Sequence, residues 1–322
     1  MGIKSQLGVG EETTHGTAVT VNRFYEFEGD GPTLDIQRIE SAGIRSGGRV
    51  IRSDRWVAGS KTVGGDLTME LHNKSFGLWL KHMFGTVATT QPAAGTDPTV
   101  YDHTATPGDL PAGLTVQVGR DDETGTVRAF TYEGCVVDSW EVSCAVGEIG
   151  KLKVTLNGED ETTTTALATA SYPSSTSLLA FTGASLTIGG SSVDVTDFTL
   201  TGTNALKTDR GKLGSQLRRQ PLETSLRQYG GNVTAYFPSL TAYNRFVNGT
   251  EAALVASFVG PTISNAYTYK LEFTCNVRFD GATSTGSGRE EIMQPLPFVC
   301  VDSGSGPGSA ITAVYRTTDT TP

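Results

Sequence analysis

The residues that could do chemistry in this chain are few and scattered. His15, His72, His82 and His103 are its only histidines. His72 and His82 flank one short helical pattern but are too far apart to share a turn, so all four read as surface or helix-end residues. No G-x-S-x-G elbow is present to expose a serine nucleophile. Gly150-Lys151 and Gly211-Lys212 are each followed by Leu, and the Walker spacing is absent, so no phosphate cradle is predicted. Asp121-Asp122-Glu123 falls between two strand patterns and reads as a hairpin turn, with a weak cation site as the other reading. Cys135, Cys144, Cys275 and Cys300 contain no C-x-x-C pair, which argues against a zinc ribbon. They read as small residues kept reduced. No catalytic residue, cofactor or metal is expected, and the chain reads as a non-enzyme.

The uneven feature is basic. Residues 35–62 and 204–227 hold 12 of the 25 Lys and Arg, in a chain of net charge −9. The candidates are Arg45, Arg49, Arg52 and Arg55 in the first segment and Lys207, Arg210, Arg218 and Arg219 in the second. Three readings compete: contact with nucleic-acid phosphates, docking on another subunit through Arg–carboxylate pairs, and a solvated loop. Interspersed Asp35, Glu40, Asp54, Asp209 and Glu223, and the lack of an aromatic platform, favour the second reading.

The elements around these segments occur twice. Gly64-Gly65-Asp66-Leu67-Thr68-Met69-Glu70-Leu71 returns as Gly230-Gly231-Asn232-Val233-Thr234-Ala235-Tyr236-Phe237, alternating apolar and polar in the same phase. A helix pattern follows each copy. Ser75 is expected to cap the first, with Phe76, Trp79, Leu80, Met83 and Phe84 inward, and Ser239 the second, with Leu240, Tyr243 and Val247 on one face. Gly85-Thr86 and Gly249-Thr250 end them. Strands are predicted at Asn22 to Phe27, 114–118, 127–133, 135–145, 150–156, 184–189, 193–202, 252–259, 266–274 and Ile311 to Tyr315. Abundant Gly, Thr and Ser suit β-structure with many turns.

The expected organisation is an N-terminal arm (1–20), a first β domain (21–160), a linker (161–180), a second β domain (181–317) and a C-terminal tail (318–322). The fold class is mainly β: two tandem β-sandwich or β-barrel domains, each with one short flanking α-helix and a long hairpin or loop. No stretch approaches the roughly 20 apolar residues that span a bilayer, and residues 1–8 carry no apolar signal core, so residence in the cytoplasm until assembly is expected, with no membrane partner. Exposed strand edges in two small β domains call for closure by sister copies.

Spread over the whole length, certain segments resemble the tail tube proteins (major tail proteins) of long-tailed bacteriophages, of the actinobacteriophage type. They are Gly10-Glu11-Glu12-Thr13-Thr14-His15-Gly16-Thr17-Ala18-Val19, Arg38-Ile39-Glu40-Ser41-Ala42-Gly43, Phe76-Gly77-Leu78-Trp79-Leu80-Lys81-His82-Met83, Leu206-Lys207-Thr208-Asp209-Arg210, Leu240-Thr241-Ala242-Tyr243-Asn244-Arg245-Phe246 and Tyr315-Arg316-Thr317-Thr318-Asp319. The resemblance implies a structural virion protein that builds stacked rings, with double-stranded DNA passing through the lumen without specific binding. It implies a long hairpin contacting the adjacent ring, here 35–62 and 204–227, with the N-terminal arm and C-terminal tail as further inter-ring contacts. Other tail proteins are the remaining partners. Two tube-like halves in one chain leave the ring at three chains with pseudo-sixfold symmetry, or six chains. The alternative is a virion β-sandwich that binds carbohydrate or a receptor, which needs exposed Trp or Tyr clustered on one face.

Reversing the charge of Arg45, Arg49 and Arg52 together is expected to block ring stacking and leave the fold intact. Tube length measured by electron microscopy checks this, and unchanged tubes would remove the docking reading of the hairpin.

Overall fold

The computed structural model describes residues 2–237, 239–284, 289 and 291–322. Its strands are β1 (Gln6–Glu12), β2 (Arg23–Tyr25), β3 (Gly29–Asp30), β4 (Thr33–Glu40), β5 (Trp56–Glu70), β6 (Gly85–Thr90), β7 (Tyr101–Pro107), β8 (Gly113–Asp121), β9 (Val127–Ala145), β10 (Lys151–Gly158) and β11 (Asp160–Thr162). They continue with β12 (Ala184–Ile188), β13 (Ser191–Ser192), β14 (Val195–Thr203), β15 (Leu206–Lys207), β16 (Leu222–Glu223), β17 (Gln228–Tyr236), β18 (Ala252–Ser264), β19 (Tyr267–Phe279), β20 (Met293–Cys300) and β21 (Ile311–Thr317). Helices α1 (Gly77–Phe84) and α2 (Thr241–Asn248) follow β5 and β17. The protein is mainly β, with antiparallel pairing throughout and a sandwich-like packing that does not close into a barrel.

The repeat read in the sequence is a repeat of topology. Strands β1, β3 with β4, β5, β8, β9 and β10 pair as β12, β14, β17, β18, β19 and β20 pair, in the same chain order. The register repeats too. Thr33 lies opposite Gly64 and Thr201 opposite Gly230, while Val154 faces Leu67 and Leu296 faces Val233. The alternation that produces this is period two, as a strand half-buried on a core requires. Leu67, Met69, Leu152, Val154, Leu156, Val233, Ala235 and Leu296 are all buried. Each large one adds about 1.5–3 kcal/mol of apolar burial.

Two pairings join the halves. The C-terminal part of β9 pairs with β14 from Ser139↔Thr203 to Ala145↔Asp197. The last strand, β21, lies between β19 and β7, with Ala313 opposite both Phe273 and Ala105. The apolar core is correspondingly continuous from Leu7 to Tyr315. At the β9·β14 seam Trp140 lies opposite Gly202, where a Cβ would sit 2.3 Å from the indole.

Several expectations change. The arm 1–20 contains β1, inserted between β2 and β8 with Leu7 and Val9 fully buried. Gly8 and Gly10 permit this, since a Cβ on either would collide with Val21 or Val19. Glu12 is buried and satisfied: its carboxylate accepts from the Gly16 and Gly134 amides and the Thr115 hydroxyl, each at 2.9 Å. Ser75 does not cap α1. It takes a positive φ of 66° and gives its amide to the Asp319 carboxylate at 2.6 Å. Gly85 ends α1 as expected, at φ 102°. The expected strands 127–133 and 135–145 are one strand, β9, passing through Gly134 at φ 63°.

The tail lies along its own chain rather than projecting. The Tyr315 hydroxyl donates to the His72 carbonyl, the Thr317 hydroxyl donates to the Asn73 carbonyl, and Gly77 has no room for a Cβ beneath Pro322. Around Ala168 and Ser177 the 161–180 segment is tied to Gln6, Gln117 and Asn73 of the first half. Strands β1, β6, β7 and β20 were not foreseen. Pro295 and Pro297 disguise β20. The Pro297 carbonyl turns away from β17 toward the Asp280 amide, so its missing N–H interrupts no bond to β17.

Gly202→Val is expected to destabilise the protein by about 1–3 kcal/mol, because the indole of Trp140 fills the only space a side chain could take. Urea denaturation measures it, and wild-type stability would mean that the seam tolerates separation.

Candidate assembly surface

Strands β4 and β5 run as a two-stranded ribbon beyond the sheet and end in the tip 41–55, every residue of which is exposed. Arg45, Arg49, Arg52 and Arg55 cluster there. Arg52 pairs with Asp54 at 2.9 Å, with both partners half in solvent. Solvent screens such a pair strongly, so it orders the tip only locally and leaves the other guanidinium groups available. Bare apolar side chains accompany them: Ile44 at 102% exposure and Val50 at 85%, with Ile51, Trp56 and Val57 nearby. Arg38 lies over the Trp56 ring at 5.5 Å. An exposed strip that combines arginine and branched apolar residues suits protein contact.

The second segment behaves differently. Strands β15 and β16 close a small ribbon, and Lys207 lies 3.8 Å from Asp209. Arg210 and Arg218 bend inward. Arg210 donates to the Gln220 carbonyl, Arg218 donates to the Thr208 carbonyl at 3.2 Å, and the exposed Arg219 gives its amide to Arg210 at 2.9 Å. The loop rests on the first half of its own chain. The Lys61 amide donates to the Gln216 carbonyl at 2.9 Å, and Gln216 and Gln220 reach the carbonyls of Ala58 and Ala112. The eight candidates therefore form two clusters, one free and one partly spent on holding its own loop. Sequence reasoning overlooked Gln216, which carries the loop's docking, and counted Arg227 in the basic segment without singling it out, although its guanidinium donates to the carbonyls of Phe84 and Gly108. No pattern marks these docking roles, because the carbonyls that Gln216 and Arg227 reach lie more than a hundred residues away.

Helix α2 presents the predicted face outward. Leu240, Tyr243 and Val247 are exposed, while Ala242 and Phe246 pack on the core. The Ser239 hydroxyl accepts the Thr241 amide at 3.3 Å. In α1 every residue but Lys81 is buried.

The histidines are interior. His72, His82 and His103 are buried, against the expectation of surface positions, while His82 does lie at a helix end, in the last turn of α1. Polar side chains are usually exposed, yet His72 and His103 find hydrogen-bond partners inside, and His82 approaches a carboxylate. His103 bridges Thr89 and the Asp319 carbonyl, His72 accepts the Lys74 amide, and His82 lies 3.6 Å from Glu11. Burial lowers the pKa of all three, that of His72 to about 4. The four cysteines are free thiols, and burial pushes those of Cys135 and Cys144 up, away from reactivity. Of the tryptophans, Trp79 and Trp140 are buried and Trp56 is exposed. Among the described residues no group of His, Cys, Asp and Glu has the arrangement to hold a metal, and no helix is long and apolar enough to cross a membrane.

The class of protein is one with a duplicated antiparallel β scaffold, a projecting ribbon and, among the described residues, an edge at β3 and β4 without a strand partner. The family model for phage tail tube proteins matches residues 2–300, nearly the whole chain, and the chain belongs to that family. It is a structural protein of the virion tail. No curated protein matches it.

His72 has a lower pKa folded than unfolded, so the unfolded chain takes up its proton first. Stability is full above about pH 6.5 and falls as pH drops toward about 4. The loss attributable to this group is on the order of 3 kcal/mol. Melting curves at pH 7 and pH 4 should show a smaller difference in His72→Gln than in wild type, and an identical difference would remove the assignment.

Proposed function

We propose that this protein closes into rings through its sheet edges, and that the rings stack into the tail tube through which the genome is delivered. The units are the two tube-like halves, 21–160 completed by β1, and 181–317. The observation that carries the reading is the β9·β14 pairing: one half already completes the sheet of the other. An edge-to-edge joint between similar units propagates, and it ends only by closing. Six halves from three chains give such a ring with pseudo-sixfold symmetry.

The β4–β5 ribbon, with Arg45, Arg49, Arg52 and Arg55 at its tip, bridges to the adjacent ring. Lys207, Arg210, Arg218 and Arg219 contribute on the second half, beside the loop's intrachain dock. DNA passes through the lumen without specific binding, in keeping with a net charge of −9. The role requires no catalysis. Other tail proteins meet the ends of the stack, and assembly takes place in the host cytoplasm.

Negative-stain microscopy of the purified protein is expected to show rings or tubes with a central lumen. A projection down the axis should show six similar lobes from three chains. A particle that stays monomeric at high concentration would overturn the proposal.

A further inference from the structure

Within the chain, the place on the outer edge of β14 is filled by β9. The equivalent edge, that of β3 and β4, has no strand partner among the described residues. We infer that this edge receives the segment Asp280–Thr283 of a second copy, and that the joint between chains repeats the joint within the chain. The inference rests on the ring reading and supplies its contact.

The equivalence fixes the residues. Leu156 lies opposite Gly65 on one side and Val137 on the other, and Phe298 lies opposite Gly231 and Phe279. Phe279 thus stands where Val137 stands. In both places two outward residues follow and then a buried one: Asp138, Ser139 and Trp140 in the first half, Asp280, Gly281 and Ala282 in the second. On the other side of the seam, Thr201 and Gly202 face Gly230 and Tyr229 as Thr33 and Leu34 face Gly64 and Val63. Carrying the β9·β14 register across sets Leu34 opposite Ala282 and Thr33 opposite Thr283.

Volume supports this register. Inside the chain the large residue is Trp140 and the small one Gly202. Between chains the sizes exchange sides, with Leu34 large and Ala282 small. Leu34 is half-buried and packs on the core, so part of its side chain is open to a neighbour. The hydrogen bonding carries over as well, with the Ala282 carbonyl, which already accepts from the Gln294 side chain of its own chain at 2.7 Å, taking the Leu34 amide on its second lone pair. The Asn204 amide donates to the Asp138 carbonyl at 2.8 Å at the end of the internal seam, and the Ile36 amide is its counterpart toward Asp280. The joint starts at Thr33 because Arg120 covers the preceding edge, donating to the Pro32 carbonyl at 3.0 Å and to Asp30 at 2.6 Å. Pro32 also offers no amide there.

Cysteine cross-linking of the assembled protein tests the register. Thr33 and Thr283 are both exposed and would face each other as a non-hydrogen-bonded pair, a spacing that suits a disulfide. Thr33→Cys with Thr283→Cys in one chain should yield covalent oligomers on mild oxidation, while each single variant stays monomeric on a denaturing gel. Thr201→Cys with Glu141→Cys, the equivalent positions of the internal seam, should close within one chain and shows that the variant fold is intact. Rings of the Thr33→Cys, Thr283→Cys variant that form with no disulfide between chains would overturn this joint and leave the ring reading standing. A chain that never assembles, with its internal link closed, would overturn both.

Discussion

A sheet edge cannot be left dry and unpaired. Each backbone amide or carbonyl buried without a partner costs about 1–3 kcal/mol, so an edge is stable only when it is paired, capped or exposed to water. The length of β9 follows from that constraint. Over 19 residues it serves β8 and β11 at its start and β10 and β14 at its end. The bend at Gly134 lets a single strand do both. The two halves are consequently fused through main-chain hydrogen bonds, which accept any side chains that fit the space and fix the relative register of the halves to the residue.

Divergence between the halves follows the same logic. The first half gained the β6–β7 hairpin and the second gained β21, and these two additions pair with each other. The chain end that follows β21 then covers the start of α1 through Thr317, Asp319 and Pro322. Helix α1 becomes core on nearly all sides. Helix α2 has no such cover and keeps Leu240, Tyr243 and Val247 in solvent. Two helices read from similar patterns therefore differ in burial because of what the chain adds around them, and the uncovered one stays available for contact.

Charge is distributed in keeping with a structural role. Some ion pairs, such as Lys61–Asp160 and Arg316–Asp102, tie separate strands together, and others, such as Lys270–Glu272 and Arg278–Asp280, close within a strand or turn. The exposed arginines concentrate on the β4–β5 tip, where the ribbon has left the core behind. A tip with bare Ile44 and Val50 gains little from folding alone. Its apolar area is recovered only on contact with another surface.

The sequence alone determined the repeat, the mainly β character, the positions of both helices and most of the strands, because these depend on local periodicity and on glycine at fixed places. Leu67, Met69 and Leu71 alternate whatever they pack against, and Gly85 stops a helix by its own backbone freedom. Strands β1 and β20 escaped it, since one is rich in glycine and the other carries two prolines. Their pairing is acceptable only because of which side of the neighbouring strand they occupy. Which apolar face of α2 turns inward, which histidines are buried and which basic segment is already docked were decided by tertiary structure. Those outcomes depend on partners distant in sequence, such as Gln216 on β5 or Asp319 on Ser75, and no local pattern encodes a distance in space.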